Sequence, residues 1–199
     1  FGPDDELDAA LILSGNVAHE PRGRYCFQTT YLNERYPEYF EHNNFRMVWV
    51  LRNPHSVVYS MLHNWRHFAL NELFDSCATK LLDNRYKRRF EVFGHWGVPR
   101  LLRACYAYNA KTSQIGLLRA HLDESRLQVV DYDELVKNKA RILPQIYEFL
   151  DLPYKAEYEQ AIRVSSLKKS SKANQREQDT VEQLCMPVYK QLREFVTLS

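Results

Sequence analysis

Two short apolar runs constrain this chain more than anything else in it: residues 45–51 (FRMVWVL) and 127–130 (LQVV). Neither alternates apolar with polar residues, which is the pattern of strands covered on both faces in a parallel sheet. Parallel neighbours need a crossover between them, and helical spacing follows each run. It covers 56–68, about 96–122 (with Leu101, Leu102, Cys105, Tyr108 and Ile115 on one stripe), 139–150 and 180–195. Weaker strand-like runs lie at 9–13 and 24–30 (RYCFQTT). Strand followed by helix, repeated, predicts an α/β fold, a parallel β-sheet flanked by helices. A length of 199 residues, 45% hydrophobic and 26% charged, suits one such domain over 1–199.

The formal net charge of +2 is too small for a general nucleic-acid binder, so no nucleic-acid partner is expected. Basic residues nonetheless cluster at 85–89 (RYKRR) and 168–176 (KKSSKANQR). The widely spaced Cys26, Cys77, Cys105 and Cys185 form no C-x-x-C pair, which predicts reduced buried thiols and no metal site. No apolar run approaches the ~20 residues of a membrane span. The acidic start FGPDDELDAA is unlike a secretory leader, and a cytoplasmic chain is the expectation retained. The polar stretch 165–178 (SSLKKSSKANQREQ) is predicted to be mobile, having too little apolar surface to pack.

Chemistry concentrates where the better strand ends. At Arg52 the chain leaves a buried strand by its carboxyl end, the edge at which open α/β sheets bind ligands. Pro54 suits the first turn of the next helix, having no N–H to lose there. Ser60 follows about two turns in. A guanidinium offers two parallel charge-assisted hydrogen bonds to a phosphate and a hydroxyl offers a third, so Arg52 and Ser60 are candidate anion ligands.

The segment L51-R52-N53-P54-H55-S56-V57-V58-Y59-S60 resembles the 3′-phosphate-binding segment of sulfotransferases that use 3′-phosphoadenosine 5′-phosphosulfate. A second likeness lies downstream: residues 127–154 (LQVVDYDELVKNKARILPQIYEFLDLPY) resemble that family's strand, Tyr-Glu-Asp-Leu turn and helix, with Asp133-Glu134 in place of Glu-Asp and Asp151 in place of Gly. Residues 178–192 resemble its closing helix. The resemblance implies a three-layer, P-loop NTPase-like architecture and transfer of a sulfonyl group to a hydroxyl or amine on a small-molecule or glycan acceptor. It also implies that Arg52 and Ser60 hold the 3′-phosphate, that Tyr132 approaches the adenine, and that Lys168, Lys169, Lys172 and Arg176 belong to a loop closing over the nucleotide. Adenosine 3′,5′-bisphosphate would be the product.

Two departures accompany the likeness. The family's phosphosulfate loop has only a poor counterpart in LILSGNVAHE (11–20), where Ser14-Gly15 lack a preceding basic residue. The sequence opens on Phe1 without an initiator methionine, and the family's N-terminal strand and phosphosulfate loop are expected upstream of it or in a disordered segment left out of it, their loss being the remaining alternative. Where cytosolic members carry a Lys-Thr-His triplet, this chain has Gln28-Thr29-Thr30, so the catalytic base is not identified; His19, Glu20, His55 and His63 are the positions considered. Two alternatives stay open. One is a non-catalytic module of the same fold, and the other is a nucleoside-kinase-like phosphotransferase, which a G-x-x-x-x-G-K-[ST] segment upstream would decide for. Oligomeric state is left open by the sequence.

Overall fold

The structure is a computed structural model and describes residues 45–65, 67–162 and 171–198. The chain divides into two units, Phe1–Leu32 and Asn33–Ser199, and every described residue belongs to the second. Residues 9–13 and 24–30 lie outside the described residues, as do Ser14-Gly15 and Gln28-Thr29-Thr30.

The two apolar runs are strands. β1 (Met47–Leu51) and β2 (Leu127–Asp131) pair in parallel, with Met47 opposite Leu127 and Leu51 opposite Asp131. The described residues of the crossover between them are mostly helical, the usual form for a parallel pair: α1 (Pro54–His63), α2 (His67–Leu73), a π-helical turn (Phe74–Ala78), α3 (Asn84–Phe93) and α4 (Arg100–His121). After β2 come α5 (Tyr132–Lys137), α6 (Lys139–Phe149), α7 (Gln175–Leu184) and α8 (Met186–Leu192). The fold is α/β, with a parallel sheet flanked by helices. Leu198 forms a further parallel bridge to Val130, so the chain's last residues return alongside β2.

One face of the sheet closes on α6 through Val130, Leu135, Ile142, Leu143 and Ile146, with Val48 packed against them. Cover on both faces holds for β2, where Leu127, Val129 and Val130 are all inaccessible. It fails at the end of β1, where Val50 is 50% exposed. Val50 shares its face with Val48 because strand side chains alternate. The apolar cover thus stops short of the strand's carboxyl end, next to Arg52.

The long α4 is the hub of the helical layer. Ala104 and Ala107 are fully buried with Cys105, Ile115 and Leu118, and such small side chains let the 74–78 turn, α1, α7 and α8 approach closely. Cys77, Cys105 and Cys185 are buried.

Two helices differ from the sequence pattern. The helix expected over 56–68 stops at His63, because the N–H groups of Asn64 and Trp65 both turn back onto the Ser60 carbonyl (2.8 and 3.1 Å). The helix expected over 180–195 is two, broken at Cys185, since Pro187 lacks the N–H that a continuous helix would need and sits instead in the first turn of α8. Its start is also earlier. Asn174 and Glu177 form a reciprocal capping box, so 175–178, expected to be mobile, is the ordered first turn of α7.

Candidate functional site

The parallel register builds the site. Because Leu51 lies opposite Asp131, the residues that follow them, Arg52 and Tyr132, leave the sheet side by side. The Arg52 guanidinium carbon stands 4.5 Å from the Tyr132 ring centroid, within cation–π distance. Three further contacts fix this corner. Asn53 caps α1 by accepting a hydrogen bond from the His55 N–H at 3.0 Å, with Pro54 in the first turn. From α4, the buried Tyr108 hydroxyl donates to the Arg52 carbonyl at 2.9 Å, which anchors the backbone from which the guanidinium projects. Burial pushes the Tyr108 hydroxyl well above the usual tyrosine range, so it stays protonated as the donor.

The third contact lies under Tyr132. Asp131 is 1% exposed. Its Oδ1 accepts from the N–H groups of Asp133 and Glu134 (2.9 and 3.2 Å), capping α5. Its Oδ2 accepts from the Tyr189 hydroxyl at 2.8 Å and lies 3.3 Å from Arg193 Nε. One carboxylate thus ties β2, α5 and α8 together. Desolvation, and then the bond to Asp131, raises the Tyr189 hydroxyl's pKa and keeps it a donor.

Asp133 follows Tyr132 and faces the same corner. Desolvation and the neighbouring Asp131 raise its carboxyl above the usual value, while Arg52 and Lys137 pull it back. Its Oδ1 is buried without a hydrogen-bond partner among the described residues. The corner therefore holds a guanidinium over an aromatic ring beside a carboxyl reluctant to ionise. That combination suits an anion attached to a flat ring, the guanidinium taking the anion and the ring face the base.

Ser60 is half-buried on α1, and its hydroxyl accepts from Asn64 Nδ2 at 3.3 Å, which leaves its proton for another acceptor. Two bridges lay α7 along α1: His55 Nε2 to Glu182 Oε2 at 3.1 Å, and His63 Nε2 to Glu177 Oε1 at 3.0 Å. They set the first turn of α7, with Arg176 beside Glu177, against the last turn of α1, where Ser60 lies one turn before His63. Arg176 and Lys172 are exposed at this end of α7. Lys168 and Lys169 lie outside the described residues, as do His19 and Glu20. Among the described residues no group of three or more His, Cys, Asp or Glu side chains could hold a metal ion, and no helix is long and apolar enough to cross a membrane.

Sequence reasoning did not single out Tyr108, Asp131 or Asp133 for the site. Tyr108 shows only as one apolar position on the α4 stripe. The signal for Asp131 is present, an Asp three residues before Glu134 at the end of a strand, which is a helix-capping pattern.

The model of the sulfotransferase domain family matches residues 18–193. This chain belongs to the sulfotransferase-domain family. A solved sulfotransferase domain from the curacin biosynthetic pathway is 15% identical to it, with a TM-score of 0.46 over 82% of this chain and 59% of that one. This sulfotransferase-domain chain thus spans 59% of the length of the solved structure it matches. No curated protein matched. Arg52, Ser60, Tyr132, Lys168, Lys169, Lys172 and Arg176 all fall inside the family-matched span.

Proposed function

We propose that this chain, taken as one domain over 1–199, is a sulfotransferase that moves the sulfonyl group of 3′-phosphoadenosine 5′-phosphosulfate to a hydroxyl or amine on a small-molecule or glycan acceptor. The observation that carries the reading is the Arg52 guanidinium held over the Tyr132 ring at the carboxyl ends of two parallel strands. When bound, the donor supplies an activated sulfonyl group. In this reading Arg52 takes the 3′-phosphate through two charge-assisted bonds, Ser60 donates its hydroxyl proton to the same phosphate, and the Tyr132 ring flanks the adenine. Tyr108 and Asn53 keep Arg52 aimed, and Asp131 keeps Tyr132 in place. Lys168, Lys169, Lys172 and Arg176 close over the nucleotide from the α7 end.

The fit rests on chemistry present at the corner. A guanidinium, planar by its own delocalisation and set over an aromatic face, keeps its N–H groups available to an anion. His55 and His63, weighed as bases from the sequence, are engaged with Glu182 and Glu177 and supply the α1–α7 contact.

The test is release of adenosine 3′,5′-bisphosphate from the phosphosulfate donor by the full chain, with pooled hydroxylated and aminated acceptors. Acceptor-dependent release, lost in Arg52→Ala, is expected. Donor binding without turnover for any acceptor would favour a non-catalytic module, and magnesium-dependent ATP consumption would overturn the reading for a kinase.

A further inference from the structure

Away from that corner, one surface combines features that the proposed chemistry does not use. None of the ten residues of α3 is buried. The helix is capped at its start by Asp83, whose carboxylate accepts from the Tyr86 N–H at 2.9 Å, and its Phe90 packs edge-on against Phe74 with ring centroids 5.8 Å apart. It ends at Gly94, whose φ of 57° with ψ of −151° lies in a positive-φ region that glycine adopts readily. The chain then doubles back so tightly that a Cβ at Gly97 would fall 2.2 Å from the Arg89 carbonyl oxygen. This close approach clamps the 94–97 turn onto the helix and fixes where Trp96 projects.

What the turn displays is apolar and in water. Val92 is 71% exposed, Phe93 62% and Trp96 78%. Around them stand Arg85, Lys87, Arg88 and Arg89, all exposed, with Glu91 on the same segment and the exposed Asp83 and Asp75 beside it, Asp75 lying 3.3 Å from His95 Nδ1. With His95 neutral, residues 84–97 therefore carry four positive charges and one negative, a net +3, against +2 for the whole chain, so the remainder is −1. None of the four basic residues forms an ion pair among the described residues, and Arg85 and Arg89 lie over the Tyr86 ring at 5.6 and 5.9 Å.

We propose that the 84–97 surface docks on an anionic lipid bilayer, with Val92, Phe93 and Trp96 entering the headgroup–acyl boundary and Arg85, Lys87, Arg88 and Arg89 meeting the lipid phosphates. The commitment to a bilayer follows from the pairing of features. A hydrated polyanion would satisfy the basic residues but leave the apolar side chains in water. A second copy docking face to face would oppose two surfaces of +3 each. An anionic membrane interface satisfies both at once, the aromatic tips at the depth that tryptophan and phenylalanine favour and the cations at the phosphates.

The experiment is co-sedimentation of the full chain with phosphatidylcholine vesicles with and without phosphatidylserine, alongside quenching of tryptophan fluorescence by brominated lipid. Binding to the phosphatidylserine vesicles alone, weakening with added salt, is expected. Two variants, Phe93→Ser with Trp96→Ser, and Arg85→Glu with Arg88→Glu, should each partition at least tenfold less while unfolding at the wild-type temperature, because these side chains are exposed. Unchanged partitioning in both variants would overturn the proposal. So would a preference for soluble DNA or heparin over the vesicles that depends on the same residues, or a concentration-dependent dimer that shields Trp96 from aqueous quencher.

Discussion

The two strand-to-helix junctions lie side by side and use the same backbone device for different ends. Each launches its helix from an Asx side chain, Asn53 for α1 and Asp131 for α5. At β2 the capping residue is the last residue of the strand, so strand and helix join without a spacer, and the carboxylate is buried among four partners. At β1 the cap comes two residues after the strand, and the residue inserted between them is Arg52. The added length turns a structural corner into a presenting one. Asp131 spends its hydrogen-bonding capacity on the fold, whereas Arg52 leaves its anchoring to its carbonyl and its guanidinium faces Tyr132.

The comparison breaks most sharply at Asp131. Asp131→Ala leaves two helix N–H groups, the Tyr189 hydroxyl and Arg193 without their acceptor, and should destabilise the chain by about 3–5 kcal/mol. Urea unfolding measures it, and a loss below about 1 kcal/mol would mean that water replaces the carboxylate and the junction is not rigid. Next comes Tyr108→Phe, which removes the anchor on the Arg52 carbonyl. A stability loss of about 1–2 kcal/mol, with weaker adenosine 3′,5′-bisphosphate binding, is expected by calorimetry; a stability loss with unchanged binding would separate the anchor from the site. Asn53→Ala should cost about 1 kcal/mol, a normal capping loss, well below the cost at Asp131. Equal losses at the two caps would erase the distinction between the junctions.

The smallest effect is pH-dependent. The raised pKa of Asp133 means that the folded chain binds more protons than the unfolded one between the ordinary value of 3.8 and the raised one. This contribution to stability is therefore complete below 3.8 and lost as pH rises through the raised value. Asp133→Asn should flatten that part of the stability–pH curve. An unaltered curve would remove Asp133 from the desolvated corner.

Much of the presenting junction was legible in the sequence, and little of the structural one. A strand of valine, tryptophan and leucine followed by Arg-Asn-Pro marks its own exit, because each step is a local propensity. The capping half of Asp131's role follows a local Asp-x-x-Glu pattern, but its contacts to Tyr189 and Arg193, 58 and 62 positions away, answer to no local pattern. Tyr108 carries one apolar stripe position in sequence and one long-range hydrogen bond in space, and only the first is periodic. Helices α2 and α3 were not read from the sequence; in NRYKRRFEVF the spacing of Tyr86, Phe90 and Phe93 is helical, and the helix is fixed by the Asp83 cap and the Phe90 contact. The break at Pro187 was not read from the sequence, because the apolar period on either side of it spoke for one helix.

The central claim is that the corner of Arg52 and Tyr132 holds a 3′-phosphorylated adenine nucleotide. Titration calorimetry of adenosine 3′,5′-bisphosphate against AMP, on the wild-type chain and on Arg52→Ala, addresses it directly. Loss of a charge-assisted bidentate contact is worth about 2–4 kcal/mol, so the wild type should prefer the bisphosphate on the order of a hundredfold. That preference should weaken with salt and fall at least tenfold in Arg52→Ala, Ser60 keeping what remains, with the variant's unfolding midpoint unchanged. Equal affinity for the two nucleotides in the wild type, or a preference undiminished by the loss of Arg52, would contradict the account.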